Sequence, residues 1–340
     1  MGRCSVVKGW VCVKKWIVCA LALCMLAVCA GALAEFPVTL VDQKGREVVV
    51  SEQPERIVSG YYISTSACIA LGLEERMVGV EAKADTRNIY ALAAPSLLDL
   101  PSVGTAKAFD LEACLATQPD LVILPARLSD AADALEAFDI PVLLVSPEDD
   151  ALLSEMIALI GVATGTQKRA EDLNAFIVAQ KALCAQMLAD EEPVTALMLG
   201  NSDFLTCAPG DMYQSAVLGG AGAVNAAAEL TGANWVTLSY EQMLVYNPQV
   251  LIIPPESAYT AEDVLADPEL AALDAVKTGA VYEMPRAFEA WDSPVPSGVL
   301  GTLWLAKTLY PQAYGDAMYR DVARELYETY YGFTPDEAQL

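Results

Sequence analysis

Two stretches of the chain carry one pattern, and that repetition limits the folds open to it. Phe109 to Pro125 reads FDLEACLATQPDLVILP and Leu238 to Pro254 reads LSYEQMLVYNPQVLIIP, and the two align without a gap. Glu112 and Glu241, Leu115 and Leu244, Pro119 and Pro248, Ile123 and Ile252, and Pro125 and Pro254 coincide. Each copy predicts a short helix with its glutamate one turn ahead of a leucine. A polar residue followed by proline then ends the helix, because proline lacks an amide hydrogen and disfavours helix just before it. Leu121 to Leu124 and Val250 to Ile253 follow as apolar runs, the mark of a strand buried on both faces in a parallel sheet. Two such units predict two similar α/β lobes with mainly parallel central sheets, and a ligand cleft between them.

The first residues must be set aside before the fold is argued. Arg3, Lys8, Lys14 and Lys15 precede an almost wholly apolar run from Trp16 to Leu33, and Ala32-Leu33-Ala34 has the small-x-small form of a secretory cleavage site. Residues 1–34 read as a signal peptide with a mature start at Glu35. Leu26-Ala27-Val28-Cys29 offers a competing reading, lipidation at Cys29, although Val28 is bulky for such a signal. Both place the chain outside the cytoplasm, as a periplasmic or cell-surface protein, free or lipid-anchored. Beyond the leader remain Cys68, Cys114, Cys184 and Cys207, too scattered for a disulfide scaffold and read as buried thiols; a single Cys68–Cys114 bridge is the alternative.

Val38–Val41 and Glu47–Val50 flank a turn at Gly45 and predict an opening hairpin. Strand and helix then alternate through an N-terminal lobe, residues 35–165. Gly161 and Gly165 read as interruptions, and Thr166 as the start of an unbroken helix. That segment, residues 166–190, is long enough to bridge two lobes. Residues 191–340 predict the C-terminal lobe, with the Arg286 to Ser297 loop holding Trp291 and with Trp304 in the core.

The chain has no histidine, which removes Ser-His and Cys-His nucleophile pairs, the HExxH helix and most transition-metal sites. Gly220-Ala221-Gly222 starts like a dinucleotide-binding turn, but Asn225 stands where the third glycine belongs and a helix precedes it. No spacing singles out a catalytic pair of carboxylates. An enzyme is not indicated, and neither a metal site nor a resident cofactor. The formal charge of −25 excludes nucleic acid and anionic membrane as partners.

In this order PERIV, GVEA, SVGTAKAFDLEACLATQPDLVI, GGAGAVNAA, SYEQMLVYNPQVLII and GTLWLAKTLYP resemble the helical-backbone solute-binding proteins of ABC importers, the receptors for iron-siderophores, haem and cobalamin. The likeness runs from about Val38 to Tyr331. It implies a monomer that captures a chelated-metal small molecule, a ferric siderophore first and haem or cobalamin next, whose iron or cobalt belongs to the ligand. The cargo would pass to an ABC permease with a cytoplasmic ATPase. The resemblance also implies docking to permease arginines through one glutamate per lobe, matched by Glu112 and Glu241. It places the ligand among loops that hold Tyr61, Tyr62, Arg87, Phe204, Trp235, Arg286 and Trp291, with Arg127 behind. Aromatic walls suit stacking, and a Tyr61 or Tyr62 phenolate suits ferric iron.

The departures are few cleft arginines, and a first helix, Ser64-Thr65-Ser66-Ala67-Cys68, without the glutamate of relatives. Alternatives are a chelatase-like or metallocluster-handling enzyme on a related scaffold, and a ligand-sensing module for a membrane kinase.

Overall fold

The computed structural model describes residues 35–232 and 234–340. The leader, its cleavage site and Cys29 therefore lie outside the described residues. Strands β1 (Val38–Val41) and β2 (Glu47–Val50) form the opening hairpin, turned at Gly45 with φ +77°. Asp42 fixes its tip. Its carboxylate accepts from the Leu144 amide at 3.1 Å and pairs with Arg46 at 2.8 Å.

The N-terminal lobe is built on β3 (Ile57–Ser59), β4 (Met77–Val80), β5 (Leu121–Pro125) and β6 (Val142–Val145), all parallel, in the spatial order β4-β3-β5-β6. The C-terminal lobe uses β7 (Val194–Met198), β8 (Ala223–Asn225), β9 (Val250–Ile253) and β10 (Val281–Glu283), in the order β8-β7-β9-β10. Each sheet thus runs second, first, third, fourth, and the repeated segment supplies the third strand both times. Leu121 to Leu124 are fully buried, as the unbroken apolar run predicts for a sheet covered on both faces. Gly222 precedes β8, so the glycine-rich stretch feeds an edge strand.

The repeat helices are Leu111–Ala116 and Tyr240–Tyr246, capped by Asp110 and Ser239. Both end on a left-handed residue directly before the proline, Gln118 at φ +49° and Asn247 at φ +39°. Glu112 and Glu241 occupy the second position of each helix, and both are exposed.

Gly161 does not interrupt. It lies inside the helix Asp150–Thr164, where a Cβ would stand 2.5 Å from that of Ala170, so glycine permits close helix packing. Gly165, at φ +72°, makes the break. The next helix spans Gln167–Met187, shorter at both ends than expected, and 21 residues give it a length of about 30 Å. Thr166 precedes it without a side-chain cap; its hydroxyl meets that of Thr164 at 2.9 Å. Near its start, Arg169 donates to Ala70 O of the N-terminal lobe at 2.8 Å, and near its end Cys184 meets Gly220 O at 3.8 Å. Arg169 also reaches Thr329 O and Tyr330 O, and Ser66 Oγ meets Tyr331 OH at 3.3 Å, so the helical turn Tyr327–Tyr331 returns to the first lobe as a second strut.

Cys68, Cys114, Cys184 and Cys207 are free and buried. Burial pushes the Cys68 and Cys114 thiols up to about 12, which leaves them unreactive at neutral pH.

Candidate ligand-binding site

In an open parallel sheet, ligands gather outside the carboxyl ends of the strands where the strand order reverses. Here the reversal lies between β3 and β5 in one lobe and between β7 and β9 in the other. The residues that leave those strands are Gly60 to Tyr62, Pro125 to Arg127, Gly200-Asn201 and Pro254 to Glu256. The first strand of each lobe ends in glycine because space is short. A Cβ at Gly60 would stand 2.7 Å from Leu124 Cδ2, and one at Gly200 would stand 2.0 Å from Thr206 Oγ1.

A cavity of about 250 Å³ lies between the lobes at these ends. The N-terminal lobe contributes Tyr62 and Arg87; the C-terminal lobe contributes Asn201, Trp235, Glu256 and Asp292 among others. A second cavity, of about 280 Å³, shares Arg87 and Glu256 and continues outward past Asn88 to Arg286 and Glu289. At these cavities two hydrogen bonds cross between the lobes, from Tyr62 OH to Ser293 Oγ and from Asn88 Nδ2 to Arg286 O, both 3.3 Å.

Behind Tyr62 stands a buried polar network. Thr65 Oγ1 donates to Glu81 Oε2 and Tyr90 OH to Glu81 Oε1, both at 2.7 Å, while Ser59 joins Ser64 and Thr65 at 2.8 Å. The hydroxyls of the first helix thus face inward, and the carboxylate missing from that helix arrives as Glu81 from the end of β4. Glu81 also lies 3.5 Å from Arg87 Nε, and the Arg87 guanidinium sits 4.1 Å from the Tyr62 ring centroid. This is an ion pair with a cation–π contact, and Arg87 Nε makes no hydrogen bond among the described residues.

The opposite wall is acidic. Asp292 is nine-tenths buried, and desolvation pushes its carboxyl up to about 6, against a 3.4 Å hydrogen bond from Gln214. Burial raises Glu289 too, although Ser297 donates to it. Neither Glu256 nor Asp292 has an ion-pair partner among the described residues.

The structure brings together Tyr62, Arg87 and Trp235, with Arg286 at the outer mouth, two-thirds exposed and 3.7 Å from Glu283. Tyr61 stands edge-on to Tyr62 at 5.3 Å, beneath Arg127 at 5.5 Å; burial and the Tyr62 neighbour raise its phenol, which disfavours a phenolate. The same desolvation acts on Tyr62. Phe204 packs edge-on against Tyr259 at the margin of the C-terminal core, away from both cavities.

Trp291 is a correction. It is fully buried, stacks on Phe288 and donates from its indole to Tyr327 OH at 2.9 Å. A Cβ at Gly301 would lie 2.5 Å from Trp291 O, so the loop is pressed onto the helix Val299–Leu309. The tryptophan turns into the core while Ala290, Asp292 and Ser293 face the cleft. Trp304 is buried as expected.

Sequence reasoning missed Glu81, Asn201, Gln214, Glu256, Asp292 and Ser293. One signal was available for Glu256: two residues past Pro254, it is the counterpart of Arg127 two residues past Pro125.

Two parallel-sheet lobes, a long connecting helix and a cavity at facing strand ends define a solute-binding protein. The periplasmic binding protein family matches residues 57–287, and the chain belongs to that family. It is similar to the molybdate-binding protein MolA of Haemophilus influenzae, at 27% identity over 91% of this chain and 95% of the relative. It is also similar to the ABC transporter substrate-binding lipoprotein YvrC of Bacillus subtilis, at 26% identity over 88% of this chain and 97% of that protein. Among solved structures, molybdate-bound MolA superposes with a TM-score of 0.78 at 24% identity, covering 88% of this chain and 99% of that one. A periplasmic solute-binding protein of Veillonella parvula gives 0.79 at 22% identity, covering 89% and 95%.

Proposed function

We propose that the chain is the substrate-binding component of an ABC importer, acting outside the cytoplasm, and that its cargo is a small metal chelate. A ferric siderophore stands ahead of haem or a corrinoid. The observation that carries this reading is the cavity between the lobes, where residues from both reversal points converge and two hydrogen bonds tie one lobe to the other. Capture would close the lobes on the ligand, with modest movement because the Gln167–Met187 helix and the turn Tyr327–Tyr331 both span the pair. Tyr62 and Trp235 offer flat apolar faces, and Arg87 offers charge. The chain has no histidine, and among the described residues no group of three or more His, Cys, Asp or Glu is arranged to hold a metal ion. A metal would therefore arrive with its own donors. The size of the cavity favours compact chelates over a whole tetrapyrrole. Delivery would run through Glu112 and Glu241, one exposed carboxylate per lobe, matched to a two-fold permease.

A second reading, a bare oxyanion such as the one MolA takes, is favoured by Arg87, whose Nε makes no hydrogen bond among the described residues. Glu256 and Asp292 on the facing wall weigh against it.

Fluorescence titration of the chain from residue 35 decides between them, because Trp235 lines the cavity. The probes are ferric siderophores, haem, cobalamin, nickel with histidine, and molybdate. Saturable quenching by a chelate below about a micromolar is the expected result. Tight binding of molybdate alone would turn the assignment to oxyanions, and no response to any probe would overturn it.

A further inference from the structure

The cleft holds charges of both signs that do not neutralise one another. Arg87 and Asp292 line the same cavity of about 250 Å³, yet among the described residues the only ion-pair partner of Arg87 is Glu81, behind the wall. Arg87 Nε is buried and makes no hydrogen bond among the described residues, and Asp292, nine-tenths buried, accepts a long side-chain contact from Gln214. Glu256 adds a second carboxylate to the same wall, solvent-exposed and unpaired among the described residues. A buried charge without a partner, as at Asp292, is costly, and a protein keeps one where an occupant completes the pairing. An anion alone would satisfy Arg87 and be repelled by Glu256 and Asp292. A cation alone would do the reverse.

We infer that the ligand is amphoteric: a chelate whose organic part carries an anionic oxygen group for Arg87 and an ammonium or comparable cationic donor for Asp292 and Glu256. Tyr62 and Trp235 then cover the apolar part between the two ends. The wall divides the labour by lobe. The N-terminal lobe supplies the positive end and the C-terminal lobe the negative end, so an amphoteric ligand crosses the cleft and helps draw the lobes together. This inference rests on the reading of the cleft as a chelate site and names the kind of chelator.

The test is calorimetric titration of the chain from residue 35 and of its Asp292→Asn, Glu256→Gln and Arg87→Gln variants, each first shown to be folded by circular dichroism. Probes fall into two sets. Nickel with excess L-histidine and a ferric hydroxamate bearing a free amine are amphoteric or cationic at one end; ferric citrate and molybdate are wholly anionic. The inference expects binding of an amphoteric probe that weakens roughly tenfold or more in each of the three variants. It expects any anion to bind Asp292→Asn better than the parent, because a repulsive charge is gone. An anionic chelate that outbinds every amphoteric one overturns the inference and leaves the chelate reading standing. Amphoteric binding that ignores Asp292→Asn and Glu256→Gln has the same effect. Failure of every chelate overturns both.

Discussion

The two copies of the repeat agree in everything that builds a lobe and disagree where each reaches the cleft. Each has a short capped helix, a glutamate at its second position, a left-handed residue before proline, and a buried third strand. Two residues beyond the strand, Arg127 in one copy answers to Glu256 in the other. Arg127 donates to Ala106 O and leans over Tyr61, whereas Glu256 lines both cavities with no ion-pair partner among the described residues. On the proposed docking, scaffold and docking surface tolerate duplication because a two-fold partner would read both copies alike. A ligand without that symmetry does not, so the walls of the cleft take opposite charges. Perturbing the shared features should therefore act equally in both lobes, and perturbing the walls should not.

The largest effect is expected where the copies agree. Replacing Glu112 and Glu241 together with Ala should reduce uptake to background in cells that carry the cognate importer, while calorimetry finds the ligand affinity unchanged. Each single variant should fall between, because each lobe retains half of the contact. Loss of ligand binding in the double variant would break the docking assignment. A transport defect confined to one glutamate would break the equivalence of the copies.

The acidic wall should carry a stability cost that the basic wall lacks. Asp292 has a folded-state pKa raised to about 6 from 3.8, so the folded chain binds its proton more tightly than the unfolded chain. Stability therefore falls as pH rises from about 4 to about 6 and is flat above, by linkage. Asp292→Asn removes that penalty. The empty variant should be more stable than the parent by on the order of 2–3 kcal/mol at pH 7, with the gain vanishing near pH 4. Thermal melts of both proteins from pH 4 to 8 check it; a gain that does not depend on pH would mean that Asp292 is not ionised in the empty cleft. Arg87, already paired with Glu81 and stacked on Tyr62, should show no such gain on replacement by Gln.

How much of this was legible in the sequence follows from the same division. The hairpin strands, Met77–Val80, the repeat strands and the bridging helix could be read because each depends on local signals: Gly45, an apolar run, a proline, an uninterrupted helical stretch. Arg87, Tyr62 and Trp235 could be placed once the resemblance pointed to the strand-end loops. The acidic wall could not. Asn201, Gln214, Glu256 and Asp292 come from four separate segments, and only the strand-order reversal brings them together. Trp291 misled for a related reason. Its loop does border the cleft, but which residue of an irregular loop faces inward is set by tertiary contacts, here the close pass over Gly301. Gly161 misled in the opposite sense. A glycine reads as a break from sequence, and only the neighbouring Ala170 reveals it as a packing point.

The finest comparison lies at the helix ends, where the two copies share a backbone shape but not the reason for it. Gln118 holds φ +49° with an exposed side chain, and no side-chain hydrogen bond of Gln118 is among those described. Asn247 holds φ +39°, a conformation that asparagine tolerates better. It also caps the helix Asp274–Thr278, donating from Nδ2 to Asp274 Oδ2 at 3.0 Å and accepting at Oδ1 from the Asp274 amide at 2.9 Å. Gln118→Gly should relieve the left-handed strain, worth ~1–2 kcal/mol, against an unfolded-state entropy cost of about 0.4–1 kcal/mol. The net runs from neutral to about 1.6 kcal/mol stabilising. Asn247→Gly relieves less strain and loses two hydrogen bonds, for a net loss of about 1–2 kcal/mol. One substitution at equivalent positions should thus destabilise the second copy and leave the first unchanged or more stable, which denaturant melts of the two variants would resolve. Equal shifts would mean that the second copy owes nothing to its cap, and that the duplicated turn is set by the proline alone.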